Sequence, residues 1–261
     1  MTLSLWFALC ALYLQRLRQR TAWLCVPLIW LLALAGCQSR PAPPLEKQET
    51  ELNAMTNDWA NRARYRADNN RLGPPATGET RVVFMGDSIT DAWPNLGTIF
   101  SRRHYVGRGI SGQTTSQMLV RFQQDVIALG PKVVVILAGT NDVAGNTGPF
   151  DPELTRGSLA AMAELAQAHG IRVMLSSVLP AFDYPWRPGL QPAAKIVALN
   201  AWLKDYAAHH GCIYLDYFSS MADARPGLQP RYSEDGVHPN AAGYAVMEPM
   251  VEQAIAEALL K

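Results

Sequence analysis

"VVFMGDSITD", residues 82–91, sets an apolar run directly against a glycine, an aspartate and a serine. Apolar residues without alternation describe a strand buried on both faces, and the abrupt polar stop marks its end. The same form returns four times, in "HYVGRG" (104–109), "KVVVILAG" (132–139), "IRVMLSSV" (171–178) and "CIYLDY" (212–217). Between the runs lie helix-compatible stretches at 114–129, 152–169 and 192–209, with a last one at 240–260. Strands that alternate with helices predict a parallel sheet covered on both sides. The expectation is therefore one three-layer α/β/α domain around five parallel strands. A chain of 261 residues suffices for one sizeable core.

Ligands of such sheets sit beyond the carboxyl ends of the strands. Four segments fall there: "GDSIT" (86–90), "GRGISGQTT" (107–115), "AGTND" (138–142) and "DGVHPN" (235–240). Glycine, serine, threonine, asparagine and aspartate are also what ordinary turns prefer. On its own, Ser88 fits a turn hydroxyl ending a strand better than it fits a nucleophile. Its chemistry depends on what the other segments add.

A serine hydroxyl attacks poorly until a base takes its proton. His238 is the candidate base, in a loop where Pro239 can occupy the first turn of the following helix. Asp235, three residues earlier, can hold one ring nitrogen as a donor and leave the other free to accept. An isolated Asp-x-x-His pair is more often an exposed helix cap. Acyl transfer also needs donors aimed at the developing oxyanion. The amide of Ser88, the amide of Gly112 and the side-chain NH₂ of Asn141 are the three candidates. Asp87 reads as a brace for the serine turn.

Taken in order, "GDSI", "GRGISGQTT", "GTND" and "DGVHPN" resemble the four blocks of the SGNH (GDSL-type) hydrolase family, over about residues 80–260. The resemblance implies a flavodoxin-like sheet and a carboxylic ester hydrolase. It makes Ser88 the nucleophile, His238 the general base and Asp235 its orienting acid. Ser88, Gly112 and Asn141 become the oxyanion hole. Two positions depart from the family pattern: Ile89 replaces a leucine, and Gly107 stands where many relatives carry asparagine.

Other chemistries fit less well. The α/β-hydrolase fold places its serine in G-x-S-x-G, which "GDSIT" is not. Asp87, Asn141, Asp142 and His238 are conceivable metal ligands, but no His-x-His or Glu-rich cluster supplies a two-metal set. Neither a metal nor a cofactor is expected.

The formal charge is +1, yet residues 1–36 hold Arg16, Arg18 and Arg20 and no acid, so the remainder sums to −2. No basic field awaits a nucleic acid. After "RLRQR" (16–20) comes "TAWLCVPLIWLLALAGC" (21–37), whose apolar part is short against the roughly 20 residues that span a bilayer. A positive flank, a short apolar core and small residues describe a secretory signal. The "LAGC" ending (34–37) resembles a bacterial lipoprotein signal, which implies lipidation of Cys37; Gln38 after it points by analogy to the outer membrane. A second apolar stretch at 1–14 implies a long leader or a later start.

The expected organisation is thus a lipoprotein signal over 1–36, a lipidated tether with an N-terminal helix over 37–78, and the hydrolase domain over 79–261. Trp59 and Tyr65 are the expected inward anchors of a helix over 50–70. Cys212 is expected as a small core residue, with no disulfide partner in the folded part.

The expected partner is an acyl ester. The loop "LPAFDYPWRPGLQP" (179–192) carries Phe182, Tyr184, Trp186 and Arg187 near the active edge, where aromatic rings can stack on a sugar or clasp an acyl chain. The run from "GISGQTT" to "QMLVRF" (109–122) resembles the acetylhydrolase-like branch of the family, which implies short acyl groups; with an envelope location, that resemblance ranks an acetyl ester on carbohydrate first and a lysophospholipid or other small acyl ester or thioester second. A carbohydrate-binding surface lipoprotein without activity is the alternative from another class, against which the full set of five reactive parts stands.

Overall fold

The computed structural model describes residues 57–260. The leader, Cys37 and the tether, expected from the sequence, lie outside the described residues. Five strands form one sheet: β1 (Val82–Gly86), β2 (Val106–Gly109), β3 (Val133–Leu137), β4 (Arg172–Ser176) and β5 (Ile213–Leu215). All pairings are parallel and the order is β2-β1-β3-β4-β5. The chain steps from β1 to one side for β2, then crosses back to β3 on the other side. This reversal leaves a crevice at the carboxyl ends of β1 and β3, which is where open α/β sheets bind ligands.

Alternate residues of each strand feed two separate cores. Val83 and Met85 of β1 and Val134 and Ile136 of β3 face one layer, built by α4 (Thr115–Asp125), α6 (Pro152–Ala168) and α7 (Pro192–His209) through Phe122, Met162, Leu199 and their neighbours. Val82, Phe84, Val133 and Val135 face the other, built by α2 (Ser88–Leu96) and α9 (Ala241–Leu260) through Trp93, Tyr244, Met247 and Val251. The remaining short helices are α1 (Arg66–Leu72), α3 (Ile99–Arg103), α5 (Thr140–Val143) and α8 (Tyr217–Met221). The three-layer α/β/α architecture expected from the apolar runs is the one observed.

Trp93 is the hub of the second layer. It is 1% exposed, with Phe84 edge-on at 5.6 Å, Phe100 at 6.0 Å and Tyr244 at 5.1 Å. Its helix lies hard against the sheet because Gly109 carries no side chain. A Cβ there would meet the Asp91 amide nitrogen at 2.2 Å. The close approach draws the start of α2, and Ser88 with it, over the ends of β1 and β2.

Several boundaries differ from expectation. Of the helix expected over 50–70, residues 50–56 lie outside the described residues; within the rest, turns between Trp59 and Tyr65 interrupt it and a helix runs over Arg66–Leu72. Trp59 is 42% exposed rather than an inward anchor; its carbonyl, not its ring, engages the domain by accepting from Gln117 Nε2 at 2.8 Å. Tyr65 does turn inward: its hydroxyl donates to the Gly109 carbonyl, and the Arg108 guanidinium lies 4.7 Å from its ring centre. Strand β5 stops at Leu215 because Asp216 caps α8, accepting from the Ser219 amide at 3.0 Å. Cys212 precedes that strand and is half-buried rather than core; burial pushes its thiol up to about 11. Pro239 lies ahead of the first turn of α9, because Asn240 takes the capping position and accepts from the Gly243 amide at 3.1 Å.

Trp93→Ala should therefore destabilise the domain by about 3–5 kcal/mol, lowering the urea midpoint without changing the slope of the transition. A loss below about 0.5 kcal/mol, the scale of a surface substitution, would remove Trp93 from the centre of this packing.

Candidate active site

Ser88 opens α2, two residues past the end of β1. Asp87 before it is the N-cap, its Oδ1 accepting from the Ile89 amide at 3.0 Å. The cap fixes the turn that carries Ser88 to the crevice. From 150 residues away, the loop leading to α9 brings His238, whose Nε2 lies 2.9 Å from Ser88 Oγ. Its Nδ1 lies 2.6 Å from Asp235 Oδ2.

Asp235 is tied within its own loop as well. Its Oδ1 accepts from the amides of Val237 at 2.9 Å and His238 at 2.8 Å, and from the Ser233 hydroxyl at 3.1 Å. Burial opposes the charge on this carboxylate, but the donors from His238 and Val237 outweigh it and hold its pKa down at about 2. An ionised Asp235 can only accept, so the proton between the two rests on Nδ1 and Nε2 is the acceptor facing Ser88. Hydroxyl, imidazole and carboxylate thus form one directed chain, the arrangement that raises the nucleophilicity of a serine oxygen.

The two other segments close on the same spot. Gly112 follows β2 with φ +80°, a conformation that L side chains rarely adopt. Asn141, on α5 beyond β3, is 4% exposed and donates from Nδ2 to the Gln113 carbonyl at 3.0 Å. Among the described residues, no acceptor engages the amides of Ser88 and Gly112. Ser88, His238, Asp235, Gly112 and Asn141, picked out from the sequence, are therefore gathered at one edge of the sheet.

Other expectations divide. Of the aromatic loop, Trp186 stands over the site, its ring 5.9 Å from that of His238 and 43% exposed. Tyr184 is buried instead, its hydroxyl bonded to Thr140 Oγ1 at 2.9 Å and to the Thr140 carbonyl at 3.0 Å. Arg187 is spent on the carbonyls of Ala144 at 3.0 Å and Gly145 at 2.6 Å. Phe182 is half-exposed, with Arg225 4.9 Å from its ring centre. A pocket of about 250 Å³ lies between Phe182, Tyr184, Arg225 and Asp235. A larger cleft of about 900 Å³ follows the outer edge of β2, lined by Arg64, Tyr65, Asp91 and Arg108 and not by Ser88 or His238.

Sequence reasoning passed over Arg121 and Asn146. Arg121, fully buried, donates to the Gly86 carbonyl at 3.1 Å, to Gln113 Oε1 at 2.6 Å and to Asp125 Oδ2 at 3.0 Å. Asn146 donates to the Gly112 carbonyl at 3.0 Å and to Asn141 Oδ1 at 2.9 Å. An arginine inside a helix and an asparagine in a turn carry no local signal of such roles.

The conceivable metal ligands are otherwise engaged. Asp142 faces Thr115, accepting from its hydroxyl at 2.6 Å and its amide at 3.0 Å, and burial raises its pKa. Among the described residues, no three His, Cys, Asp or Glu side chains are grouped to hold a metal ion.

Asp87 is 1% exposed, and burial pushes its carboxyl up to about 7. An unfolded aspartate titrates near ~3.9. Between those values the folded state holds the extra proton, so this group lowers stability progressively as pH rises from about 4 to about 7. Asp235 acts oppositely: its contribution is present above about 4 and is lost as pH falls toward its folded value near 2. Urea midpoints measured from pH 4 to 8 should show Asp87→Asn gaining on the wild type as pH rises, with the gain levelling off above 7. Parallel profiles for the two proteins would show that Asp87 does not titrate in that window.

Against known proteins, residues 84–246 match the model of the GDSL-like lipase/acylhydrolase family. A structure of a candidate acylhydrolase from Bacteroides fragilis NCTC 9343 is 48% identical, with a TM-score of 0.76 over 77% of this chain and 99% of that one. A GDSL-like lipase from Bacteroides thetaiotaomicron VPI-5482 is 46% identical, with a TM-score of 0.74 over 77% of this chain and 100% of that one. The uncharacterized lipoprotein YqeF of Bacillus subtilis (strain 168) is 36% identical over 129 residues, which is 42% of this chain and 53% of that protein. The chain thus spans about half the length of YqeF. With a match across more than half of its residues, and a five-stranded parallel sheet shared with its structural relatives, this chain belongs to the GDSL-like lipase/acylhydrolase family, the hydrolytic, ester-cleaving enzymes that its sequence blocks resemble.

Proposed function

We propose that this protein hydrolyses short acyl esters, acetyl foremost and carried on carbohydrate, through an acyl-enzyme on Ser88. The observation that carries the reading is the uninterrupted relay from Ser88 Oγ to His238 Nε2 at 2.9 Å and from His238 Nδ1 to Asp235 at 2.6 Å. Ser88 Oγ attacks the ester carbonyl while its proton passes to His238 Nε2. The carbonyl oxygen, now negative, is met by the amides of Ser88 and Gly112 and the NH₂ of Asn141. His238 then protonates the leaving alkoxide oxygen, which departs as the alcohol. Water, deprotonated by the same nitrogen, attacks the acyl-enzyme and frees the acid.

The preference for a small acyl group is supported by the bulk of Trp186, whose ring lies 5.9 Å from the imidazole. Its exposed face, with the half-exposed Phe182 on the same loop, offers the flat apolar surface on which sugar rings stack.

The proposed location is the cell envelope. A lipid on Cys37 holds the domain to a membrane, a reading supported by the "LAGC" ending and by the likeness to a lipoprotein. No helix among the described residues is long and apolar enough to cross a bilayer. Cys37→Ser should abolish metabolic labelling with a fatty acid and move the protein from the membrane fraction to the soluble one. Labelling that survives the substitution would place the anchor elsewhere.

Ser88→Ala should abolish both turnover of p-nitrophenyl acetate and covalent trapping by an organophosphonate. A substituted protein that still takes up the label would overturn the assignment of the nucleophile. Across p-nitrophenyl esters of rising chain length, kcat/KM should peak at acetyl, and acetylated sugars should release acetate. A peak at long chains, with turnover of lysophospholipids, would replace the carbohydrate reading with a lipid one.

A further inference from the structure

We infer that Asn146 is a positioning residue that fixes which end of the Asn141 carboxamide faces the reacting oxygen; this rests on the oxyanion role proposed for Asn141. A carboxamide is pseudo-symmetric in shape and opposite in function at its two ends. Turned one way Asn141 offers a donor to an oxyanion; turned the other it presents a carbonyl oxygen that repels it. Asn141 cannot make that choice alone.

Two neighbours make it, on opposite sides. Asn141 Nδ2 donates to the Gln113 carbonyl at 3.0 Å, which uses one of its two hydrogens. Asn146 Nδ2 donates to Asn141 Oδ1 at 2.9 Å, so the oxygen is already engaged and the second hydrogen of Asn141 is left over. The remaining hydrogen of Asn146 Nδ2 goes to the Gly112 carbonyl at 3.0 Å. One side-chain amide thus holds both the Asn141 carboxamide and the peptide of Gly112, two of the three proposed oxyanion donors. It reaches them from an exposed turn, itself anchored by the Asn146 amide donating to the Asn141 carbonyl at 3.0 Å.

The two substitutions that remove the donor differ in chemistry. Asn146→Ala deletes it and leaves the Gln113 carbonyl still favouring the productive orientation. Asn146→Asp retains the shape and supplies an acceptor, which rewards the reversed carboxamide and sets a negative charge beside the forming one. The expected losses in kcat for p-nitrophenyl acetate are about tenfold for Ala, below the roughly 10²–10³ of losing an oxyanion donor outright, and about a hundredfold for Asp, at the lower end of that range. KM should stay within about threefold for both, since the interaction matters only once charge develops.

A double-mutant cycle separates positioning from general support of the turn. In an Asn141→Ala background Asn146→Asp should lose most of its effect, with the residual coming from Gly112. Equal effects in the two backgrounds would overturn the inference, as would kcat values within twofold of wild type for both single variants. Thermal midpoints identify a variant that has failed to fold, and Asn146→Asp, nearly isosteric, keeps the test open if Asn146→Ala fails. Ser88→Ala run alongside tells the two readings apart: if it retains turnover the nucleophile assignment has failed, whereas a dead Ser88→Ala with unaffected Asn146 variants condemns only the positioning role.

Discussion

A single buried guanidinium holds the separate segments of the site in register. Arg121 is fully buried, and a cation in that position is tolerated only when paired and hydrogen-bonded throughout. Asp125, one turn along α4, supplies the counter-charge at 3.0 Å. The other nitrogens reach outward from the helix: one to the Gly86 carbonyl, just ahead of Ser88, and one to Gln113, just after Gly112. The Gln113 main-chain carbonyl in turn accepts from Asn141. Strand β1, the loop after β2 and the helix after β3 are thereby joined through one ion. Removing it would leave Asp125 buried without its counter-charge, so the integrity of the fold and the alignment of the site depend on the same contact.

Electrostatics then divide the carboxylates near the crevice into two kinds. Asp87 and Asp142 are buried behind the turns they brace, and desolvation raises both. Asp235 lies nearer solvent, and the donors around it hold it near 2. The difference follows from position. The buried pair cap turns, for which a neutral or charged side chain serves, whereas Asp235 must stay ionised to keep the proton of His238 on Nδ1. Burying the first two costs stability, and that cost is borne where it secures the geometry of the Ser88 and Asn141 turns.

The fold, and the placement of Ser88, Gly112, Asn141, Asp235 and His238 at one sheet edge, were legible in the sequence for a physical reason. Central strands of a parallel sheet are apolar on both faces, so "VVFM" and "VVVIL" declare themselves without reference to anything distant. The turns that follow must be small and polar to let helices start close to the sheet, and Gly109 shows how tight that approach is. What escaped notice depends on tertiary partners. Trp59 looks like an anchor until its backbone proves to be the part engaged. Tyr184 looks like part of an aromatic platform, yet Thr140 draws it into the core. The pairing of Asn146 with Gly112 spans 34 residues, and no periodicity encodes it.

The position of Trp186 bears on the chemistry as well as on selectivity. In the proposed reaction His238 becomes an imidazolium as Ser88 attacks, and the positive charge must be met within a few ångströms. Asp235 meets it in the plane of the ring, through Nδ1. Trp186 meets it from the side, its ring centre 5.9 Å away and tilted by 35°, within reach of the attraction between a cation and an indole face. Tyr184, tilted against Trp186 with ring centres 5.0 Å apart and pinned by Thr140, keeps that ring from swinging away. Because Thr140 immediately precedes Asn141, the segment that carries the proposed oxyanion donor also supports, through Tyr184, the aromatic ring beside His238. In the proposed reaction, α5 therefore bears on both charges of the transition state, on the substrate oxygen directly and on the imidazole through Trp186, while Asp235 meets the imidazole from its own loop.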